Sequence, residues 1–389
     1  MLTPHVVDGI VRLGTVLPFA QVPAILAFFT GVTVSAATVR RLTEAAGAAA
    51  VAVATAAVAV ATAAVAVATE AVADLVATLP EPPTGPAVQL LSVDGAMVPL
   101  VGGTWAEVKT LALGTVIASS DGAVRTEALS YFSRLADAAT FGHLATVETH
   151  CRGTSTAGTV VAVTDGAVWC QGFVDLHRPD AVRILDFPHA LEHLGLVAQA
   201  VFGPGTAAGS EWLGHQAQRV RTGQAAAVLT ALTALAAAQQ SPDIRAVIEQ
   251  THAYLAARRG QLRYDAFVAA GYPIGSGCVE SANKLVVEAR LKGPGMHWAR
   301  EHVNPLLALR GVLVNNRWAE AWPAIWDRLC HPPRPPESAT PPEPQAPPPT
   351  VLAPPPVRVT TRLKTMVNGK PTAQHPWRRS SPFPFHAKS

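Results

Sequence analysis

The spacing of hydrophobic residues predicts a run of β-strands in the middle of the chain. Three apolar stretches of strand length come first, QLLSVDGAMVPL, VKTLALGTVIAS and a weaker one at about 125–133, with DG or GG turns nearby. A helical pattern at about 136–150 then precedes the short apolar strand TVVAVT. This order predicts the first part of an α/β domain.

Helices and strands alternate from there as far as residue 202. The helix-like AVWCQGFVDLH, the strand-like AVRILD and the helix-like PHALEHLGLVAQAVF follow in turn. Residues 203–270 are rich in Ala, Gln and Arg and carry no strand signal. We therefore expect an α/β fold whose mixed sheet has flanking helices and is interrupted by an all-helical insertion.

The N-terminal region, 1–47, also has a helical pattern. Two short helices are predicted around the turn GVTVS, with Ser35 as the N-cap of the second helix and Arg40 and Arg41 on it. Such a pair could be a helix-turn-helix that contacts DNA. Paired helices are also common in any helical domain, so both interpretations stay open.

Residues 48–69 repeat the motif AVAVATA with a period of seven. Alanine is the best helix former and a heptad keeps one stripe on a partner, so we expect a long helix or connector over 48–79. The alternating valines would also allow a strand. The stretch is uncharged and long enough for a membrane span, but Ala and Thr contribute little to insertion and no aromatic residues flank it. No membrane association is expected.

Proline marks most of the remaining boundaries. PEPPTGPA, at 80–87, is predicted to be a linker because clustered prolines end a helix. The α/β core should then have a first part at 88–202 and a final part at 271–330. Proline dominates 331–356, which predicts a stiff or disordered linker before a tail at 357–389.

The positive charge of the chain is concentrated in that tail. The formal net charge of all 389 residues is only +3, but 357–389 hold seven Lys or Arg and no acid, Arg378 and Arg379 among them. The rest of the chain carries 23 bases against 27 acids, a net charge of −4. A uniformly basic segment predicts affinity for the phosphates of DNA.

Four cysteines, Cys151, Cys170, Cys278 and Cys330, are widely separated and form no C-x-x-C pair. No secretory signal is apparent. This pattern argues against a zinc ribbon and a disulfide framework, and it predicts a reduced, cytoplasmic protein.

Two of the predicted strands carry the same sequence, D-G-A. Asp94 lies in the apolar run LLSVDGAMVPL, and Asp165 follows the apolar strand VVAVT. One aspartate at a strand end is usually a turn or helix cap, but two on neighbouring strands can converge on one ion. A third acid, Glu280, lies in the first turn of a helix after the turn G-S-G, where the helix dipole alone also favours an acid.

Three carboxylates suit a pair of Mg²⁺ or Mn²⁺ ions. Two ions about 3.5 to 4 Å apart activate an attacking oxygen and stabilise the leaving oxygen in phosphodiester chemistry. We therefore predict a two-ion site at Asp94, Asp165 and Glu280. Glu288 is the rival third ligand, but it lies about 12 Å farther along an α-helix and has lysines four residues before and after it.

Four segments resemble one known family. SVDGAMVPL, VTDGAVWCQGF, RILDFPHALEHL and GSGCVESANKLVVEARLKGPGMHW are similar to the ISKra-type group of bacterial insertion-sequence DDE transposases. The resemblance covers 1–47 and 85–330, and NGKPTAQHPWRR is similar to the C-terminus of that group. The Ala/Val/Thr repeat and the long proline linker depart from its pattern.

The resemblance implies an RNase H-like core with Asp94 on the first strand, Asp165 after the fourth and Glu280 on a helix beyond the insertion. It implies a transposase that performs metal-dependent cleavage and strand transfer at the ends of an insertion sequence. The partner would be double-stranded DNA, both the terminal inverted repeats and the target, bound by a homo-oligomer associated with the nucleoid.

Three further residues, Asp186, His189 and Asn283, are expected to support this site. Asp186 and His189 form D-F-P-H, similar to the C/D-x-x-H element of related transposases, and Asn283 shares a helix face with Glu280. His189 and His193 have a spacing that could bind zinc, but no further soft ligand is apparent. Structural support or DNA contact is the preferred role for the histidines.

Positive and aromatic residues follow Glu280 and are candidate DNA contacts, since they could hold phosphates and stack a base. These candidates are Lys284, Arg290, Lys292, Trp298 and Arg300. A solvated helix face would explain them equally well.

Two other functions remain open. An RNase H-like nuclease would use the same carboxylates to cut DNA without joining it. A transposase-derived protein with a misassembled site would bind DNA and do no chemistry, although the three intact acids argue against this.

Overall fold

A computed structural model describes residues 2–62, 81–118, 124–331, 366–367 and 370–371. Three helices come first along the chain. They are α1 (Pro4–Val16), α2 (Val22–Thr30) and α3 (Ala36–Thr62). The backbone N–H of Thr38 donates to Ser35 Oγ at 3.1 Å, which confirms Ser35 as the cap of α3.

Helix α3 continues without a break across residue 47, where the N-terminal region was predicted to end. Residues 48–62 of the repeat are therefore helical, and 63–79 lie outside the described residues. Among the described helices, none is long and apolar enough to cross a membrane.

The predicted strands form one five-stranded mixed sheet, and the mixed α/β class is confirmed. The strands are β1 (Val88–Pro99), β2 (Trp105–Ala118), β3 (Val124–Arg134), β4 (Thr159–Thr164) and β5 (Val182–Leu185). Their order is β3-β2-β1-β4-β5. The first three pair antiparallel, while β4 is parallel to β1 and β5 is parallel to β4. Strand β1 is thus central and buried on both faces, which explains its nearly continuous apolar sequence.

Helices cover both faces of the sheet. On one face lie α4 (Ala138–Cys151) and α5 (Val168–His177), whose Phe141 and Phe173 pack with Val93 of β1. On the other face lies α6 (Phe187–Phe202).

Residues 81–87, the described part of the linker predicted at 80–87, are coil and are hydrogen-bonded to the α/β core. The Gly85 N–H donates to Thr156 Oγ1 at 2.9 Å, and the Thr159 N–H donates to the Ala87 carbonyl at 2.8 Å.

The region 203–270 is helical, with no strand in it. Its elements are α7 (Ala207–Arg221), α8 (Ala225–Ala238), α9 (Pro242–Ala257), a 3₁₀ turn (Arg259–Leu262) and α10 (Tyr264–Ala269). Leu232 and Leu255 of this insertion pack in one core with Ile184 of β5 and Leu194 of α6. The division predicted at residue 203 is therefore a change to all-helical structure and not a boundary between separate cores.

A helix with an irregular middle carries Glu280. It consists of α11 (Gly277–Ala282), a π-helical turn (Asn283–Glu288) and α12 (Ala289–Leu291). We call the whole element the 277–291 helix. It packs on the sheet on the same side as α6, with Val279 and Val286 against Val98 of β1.

Two further helices, α13 (Arg300–Val314) and α14 (Trp318–Cys330), return to the N-terminal region. Leu309 and Trp318 share a core with Val11 of α1 and Ala46 of α3. The N-terminal helices and the final part of the core, which were predicted as separate domains, therefore pack together in this structure. The chain from Met1 to Pro333 forms one compact unit.

Residues Arg334–Ser389 form a second unit. The part of it that the structure describes is an antiparallel pair of two-residue strands, β6 (Met366–Val367) and β7 (Lys370–Pro371). The predicted proline linker and most of the basic tail lie outside the described residues.

Candidate active site

Asp94 and Asp165 are brought together by the parallel pairing of β1 and β4. Asp94 lies within β1, opposite Thr110 of β2, and Asp165 directly follows the last residue of β4. Ser92 Oγ of β1 donates to the Val163 carbonyl of β4 at 2.5 Å, which ties the two strands together just before the aspartates.

These aspartates and Glu280 line a single cleft of about 180 Å³. The other polar residues that line it are Asp186, His189, Glu192 and Ser276. Glu288 does not line this cleft, and its Oε1 lies 2.6 Å from Lys292 Nζ. The structure thus places Glu280, and not Glu288, beside the two aspartates.

The surroundings of Asp94 disfavour its ionised form. Burial, and to a smaller extent the negative charges of Asp165 and Glu280, together raise its pKa to about 6. Asn283 opposes this by donating from Nδ2 to Asp94 Oδ2 at 2.8 Å. Across 2–62, 81–118 and 124–331, none of the three carboxylates forms an ion pair with Lys, Arg or His.

Asp165 sits in a tight turn between β4 and α5. The Ala167 N–H donates to Asp165 Oδ1 at 2.8 Å, and the Cys170 thiol donates to the same oxygen at 3.4 Å. Gly166 has a φ of +78°, a conformation that side-chain-bearing residues rarely adopt. Burial raises the pKa of the Cys170 thiol, so the thiol stays protonated and remains a donor.

Glu280 is oriented at the start of the 277–291 helix. Ser276 Oγ donates to Glu280 Oε1 at 3.2 Å. Beyond Glu280 the π-helical turn changes the hydrogen-bond ladder, and Arg310 of α13 supplies donors there. Its Nε donates to the Val286 carbonyl at 3.4 Å and its Nη2 to the Leu285 carbonyl. Arg310 was not singled out from the sequence.

Asp186 accepts hydrogen bonds from the backbone N–H groups of two residues that line the cleft. It is 3% exposed, its Oδ2 accepts from the His189 N–H at 2.9 Å, and its Oδ1 accepts from the Ser276 N–H at 2.6 Å. It therefore caps α6 and also fixes the turn that leads to Glu280. His189 lines the cleft with its Nδ1 3.1 Å from Glu192 Oε2.

Two residues of the helical insertion contact the Asp165 turn, and sequence reasoning missed both. The Tyr254 hydroxyl of α9 donates to the Asp165 carbonyl, and Arg258 donates to the Gly166 carbonyl from Nε at 3.1 Å and from Nη2 at 2.6 Å. Neither residue lies in a motif, so the sequence offered no signal for this role.

Two of the predicted DNA contacts are corrected. Arg290 is 2% exposed and Trp298 is 8% exposed, and the guanidinium lies 4.9 Å from the centre of the Trp298 ring and 4.6 Å from that of Phe19. Arg290 Nε donates to the Gly14 carbonyl at 3.2 Å, and Trp298 Nε1 donates to the Leu291 carbonyl at 3.1 Å. Both residues pack the 277–291 helix against the N-terminal region instead of facing a ligand.

The other predicted DNA contacts differ in exposure. Lys284, Lys292 and Arg300 are exposed, and Lys292 is paired with Glu288. Arg378 and Arg379 lie outside the described residues.

The donors of this cleft fit a hard divalent cation in chemistry and in charge. Among the residues that the structure describes, the three carboxylates line one cleft without a basic partner, and Asn283 Oδ1, beside Asp94, is buried without a hydrogen-bond partner. Within the part of the chain that the structure describes, however, no three His, Cys, Asp or Glu residues converge closely enough to enclose an ion as they stand. The acids line the cleft without forming a closed cage.

Comparison with known proteins gives no family: no family model matches the chain, and no curated protein matches it either.

Proposed function

We propose that the chain is a DDE transposase that cleaves DNA at the ends of an insertion sequence and joins those ends to target DNA. The proposal rests on one observation. Asp94, Asp165 and Glu280, from three separate parts of the chain, line one cleft without a basic partner among the described residues. Such an arrangement is costly unless a cation is bound there.

The order of strands supports an RNase H-like core. Asp94 lies on the central strand, Asp165 follows the parallel strand beside it, and Glu280 begins a helix that packs on the same sheet. These are the positions that the resemblance to ISKra-type transposases implies.

The three carboxylates would hold two Mg²⁺ or Mn²⁺ ions. When bound, such ions activate the attacking hydroxyl or water and stabilise the leaving oxygen of the phosphodiester. The protein itself orients the carboxylates, since Asn283 donates to Asp94, Ser276 donates to Glu280, and the Ala167 N–H holds Asp165.

Double-stranded DNA, as terminal inverted repeats and target, is the proposed partner. The exposed Lys284 and Arg300 would contact its phosphates near the 277–291 helix. The basic tail would add DNA affinity that does not depend on the base sequence. A homo-oligomer on DNA and a location at the bacterial nucleoid belong to the same proposal.

The test is a reaction of the purified full-length protein with MgCl₂ or MnCl₂ and DNA that carries the element's own ends. We expect cut ends and joined products on a gel. Cutting without joining would instead identify a nuclease, and DNA binding without either reaction would identify a transposase-derived binding protein.

Two matched variants locate the third ligand. Glu280→Gln should abolish metal-dependent cleavage, as should Asp94→Asn and Asp165→Asn, because each removes a ligand charge. Glu288→Gln should cost at most a modest fraction of the activity, because it removes only an ion pair with Lys292 on the same helix. Loss of cleavage in Glu288→Gln with activity retained in Glu280→Gln would reverse the assignment.

A further inference from the structure

We propose that Tyr254 and Arg258 are positioning residues that hold the Asp165 turn so that its carboxylate can bind metal. The inference rests on the proposed function. Tyr254 lies on helix α9 of the helical insertion, and Arg258 directly follows that helix. The inference therefore makes the insertion part of the active site.

The hydrogen bonds are made to two successive carbonyl groups. Tyr254 donates its hydroxyl proton to the Asp165 carbonyl, and Arg258 donates to the Gly166 carbonyl through Nε at 3.1 Å and Nη2 at 2.6 Å. These carbonyls lie just past the end of β4, where the sheet no longer supplies partners.

The turn needs an external support for an electrostatic reason. The carboxylates of Asp94 and Asp165 line the same cleft, so their negative charges repel each other. Repulsion favours movement of the Asp165 turn away from β1. Inside the turn, the hydrogen bond from the Ala167 N–H engages the carboxylate itself. The bonds from α9 hold the backbone and leave the second carboxylate oxygen to a metal.

The support is itself rigid. The Arg258 guanidinium lies 3.9 Å from the centre of the Tyr254 ring, and Arg258 Nη1 donates to the Tyr254 carbonyl at 2.9 Å. The ring of His193, from α6, stacks on Tyr254 at 3.9 Å between centroids. Arg258 also fits closely over the turn, since a Cβ at Gly166 would lie 2.4 Å from Arg258 Nε. Two helices therefore hold the donors in place.

The chain supplies a matched control in Tyr264. This tyrosine is also in the insertion, and its hydroxyl donates to a strand-end carbonyl, that of Leu185, at 2.8 Å. Leu185 is not a proposed metal ligand. Tyr264→Phe therefore removes the same kind of bond without touching the Asp165 turn.

The experiment compares full-length wild type with Tyr254→Phe, Arg258→Gln, Arg258→Lys and Tyr264→Phe. Metal-free protein is titrated with Mn²⁺ and free Mn²⁺ is measured by electron paramagnetic resonance. Loss of a residue that orients a ligand typically weakens metal affinity by about 10- to 100-fold. We expect a loss in this range for Tyr254→Phe and Arg258→Gln, a smaller loss for Arg258→Lys, and a change of less than about twofold for Tyr264→Phe.

Two further readouts separate positioning from general destabilisation. Cleavage by Tyr254→Phe should recover at saturating Mn²⁺, so that the metal concentration for half activity rises while kcat returns. Amide hydrogen exchange of residues 164–168, measured without metal, should be faster in Tyr254→Phe and unchanged in Tyr264→Phe.

Wild-type Mn²⁺ affinity in Tyr254→Phe and Arg258→Gln would overturn the inference, and so would an equal loss in Tyr264→Phe. A wild-type protein that binds no Mn²⁺ would instead overturn the proposed function. In that case unchanged exchange of 164–168 in Tyr254→Phe would also show that α9 does not hold the turn.

Discussion

Among the individual residues, Asp94 carries a buried carboxylate that lowers the stability of the metal-free fold, and a bound cation would offset this loss. Its pKa rises to about 6 mainly because the sheet buries it, and then because Asp165 and Glu280 lie near it. Hydrogen bonds from the Gly95 backbone N–H and from Asn283 offset part of this. In the absence of metal, the ionised side chain therefore destabilises the folded protein.

The sign of the pH dependence follows from the raised pKa. Well below pH 3.8, Asp94 is protonated in both the folded and the unfolded protein and does not change the free energy of unfolding. As pH rises from the ordinary carboxyl range through about 6, the unfolded chain loses the proton first, and stability contributed by the neutral carboxyl is lost.

We therefore expect metal-free Asp94→Asn to be more stable than wild type at pH 8 by on the order of 2 kcal/mol, allowing for partial solvent screening. At pH 3 the two proteins should be about equally stable. Thermal denaturation in EDTA at both pH values measures this, and Mg²⁺ at pH 8 should stabilise wild type more than Asp94→Asn. Equal melting temperatures at pH 8 would show that Asp94 is not strained by its surroundings.

The 277–291 helix and the Asp165 turn show at the element scale that local irregularities place the acids. The π-helical turn begins three residues after Glu280, and Arg310 of α13 donates to two of its carbonyl groups. The Asp165 turn depends on the left-handed backbone of Gly166 and on Arg258. Both irregular segments are therefore held by elements distant in sequence.

Gly166→Ala tests the second of these dependences against Gly205→Ala. Both glycines have positive φ, +78° and +71°, but an added Cβ would lie 2.4 Å from Arg258 Nε at Gly166 and would meet nothing within 4 Å at Gly205. Backbone strain alone should cost Gly205→Ala about 1 kcal/mol of unfolding free energy, and the added clash should bring Gly166→Ala to roughly 2 to 4 kcal/mol. Urea denaturation measures both, and equal costs would mean that Arg258 moves aside freely.

The distribution of charge matters at the scale of the whole molecule. Residues 357–389 hold seven Lys or Arg and no acid, while the remaining chain is net negative. The proposed DNA affinity that is independent of sequence should therefore come mainly from this segment.

Replacing the seven Lys and Arg of 357–389 by Gln should weaken duplex DNA binding and reduce its salt dependence. The slope of log K against log salt should fall by roughly 0.9 for each phosphate that the protein no longer neutralises. Fluorescence anisotropy with duplex DNA over a range of NaCl concentrations measures the slope. An unchanged slope would assign the DNA contacts to the first unit of the chain.

Local sequence patterns were enough to predict the five strands, the helical insertion, the cap at Ser35 and the candidate set of three acids. These predictions were possible because hydrophobic periodicity and turn residues act locally. In addition, an acid in an apolar strand is costly unless it lies at the strand end or binds a cation. A side chain within a short motif, such as Asp186 in D-F-P-H, could be singled out in the same way.

Which residues surround these acids depends on contacts between segments that are far apart in the sequence. Arg290 and Trp298 were predicted to face DNA, but the guanidinium stacks on aromatic rings in the interior, which charge alone does not reveal. Tyr254 and Arg258 lie 89 and 92 residues from the carbonyls that they hold, and no local pattern encodes such an interaction. The separate domains expected from composition likewise share cores, because packing depends on apolar faces that meet only after the chain folds.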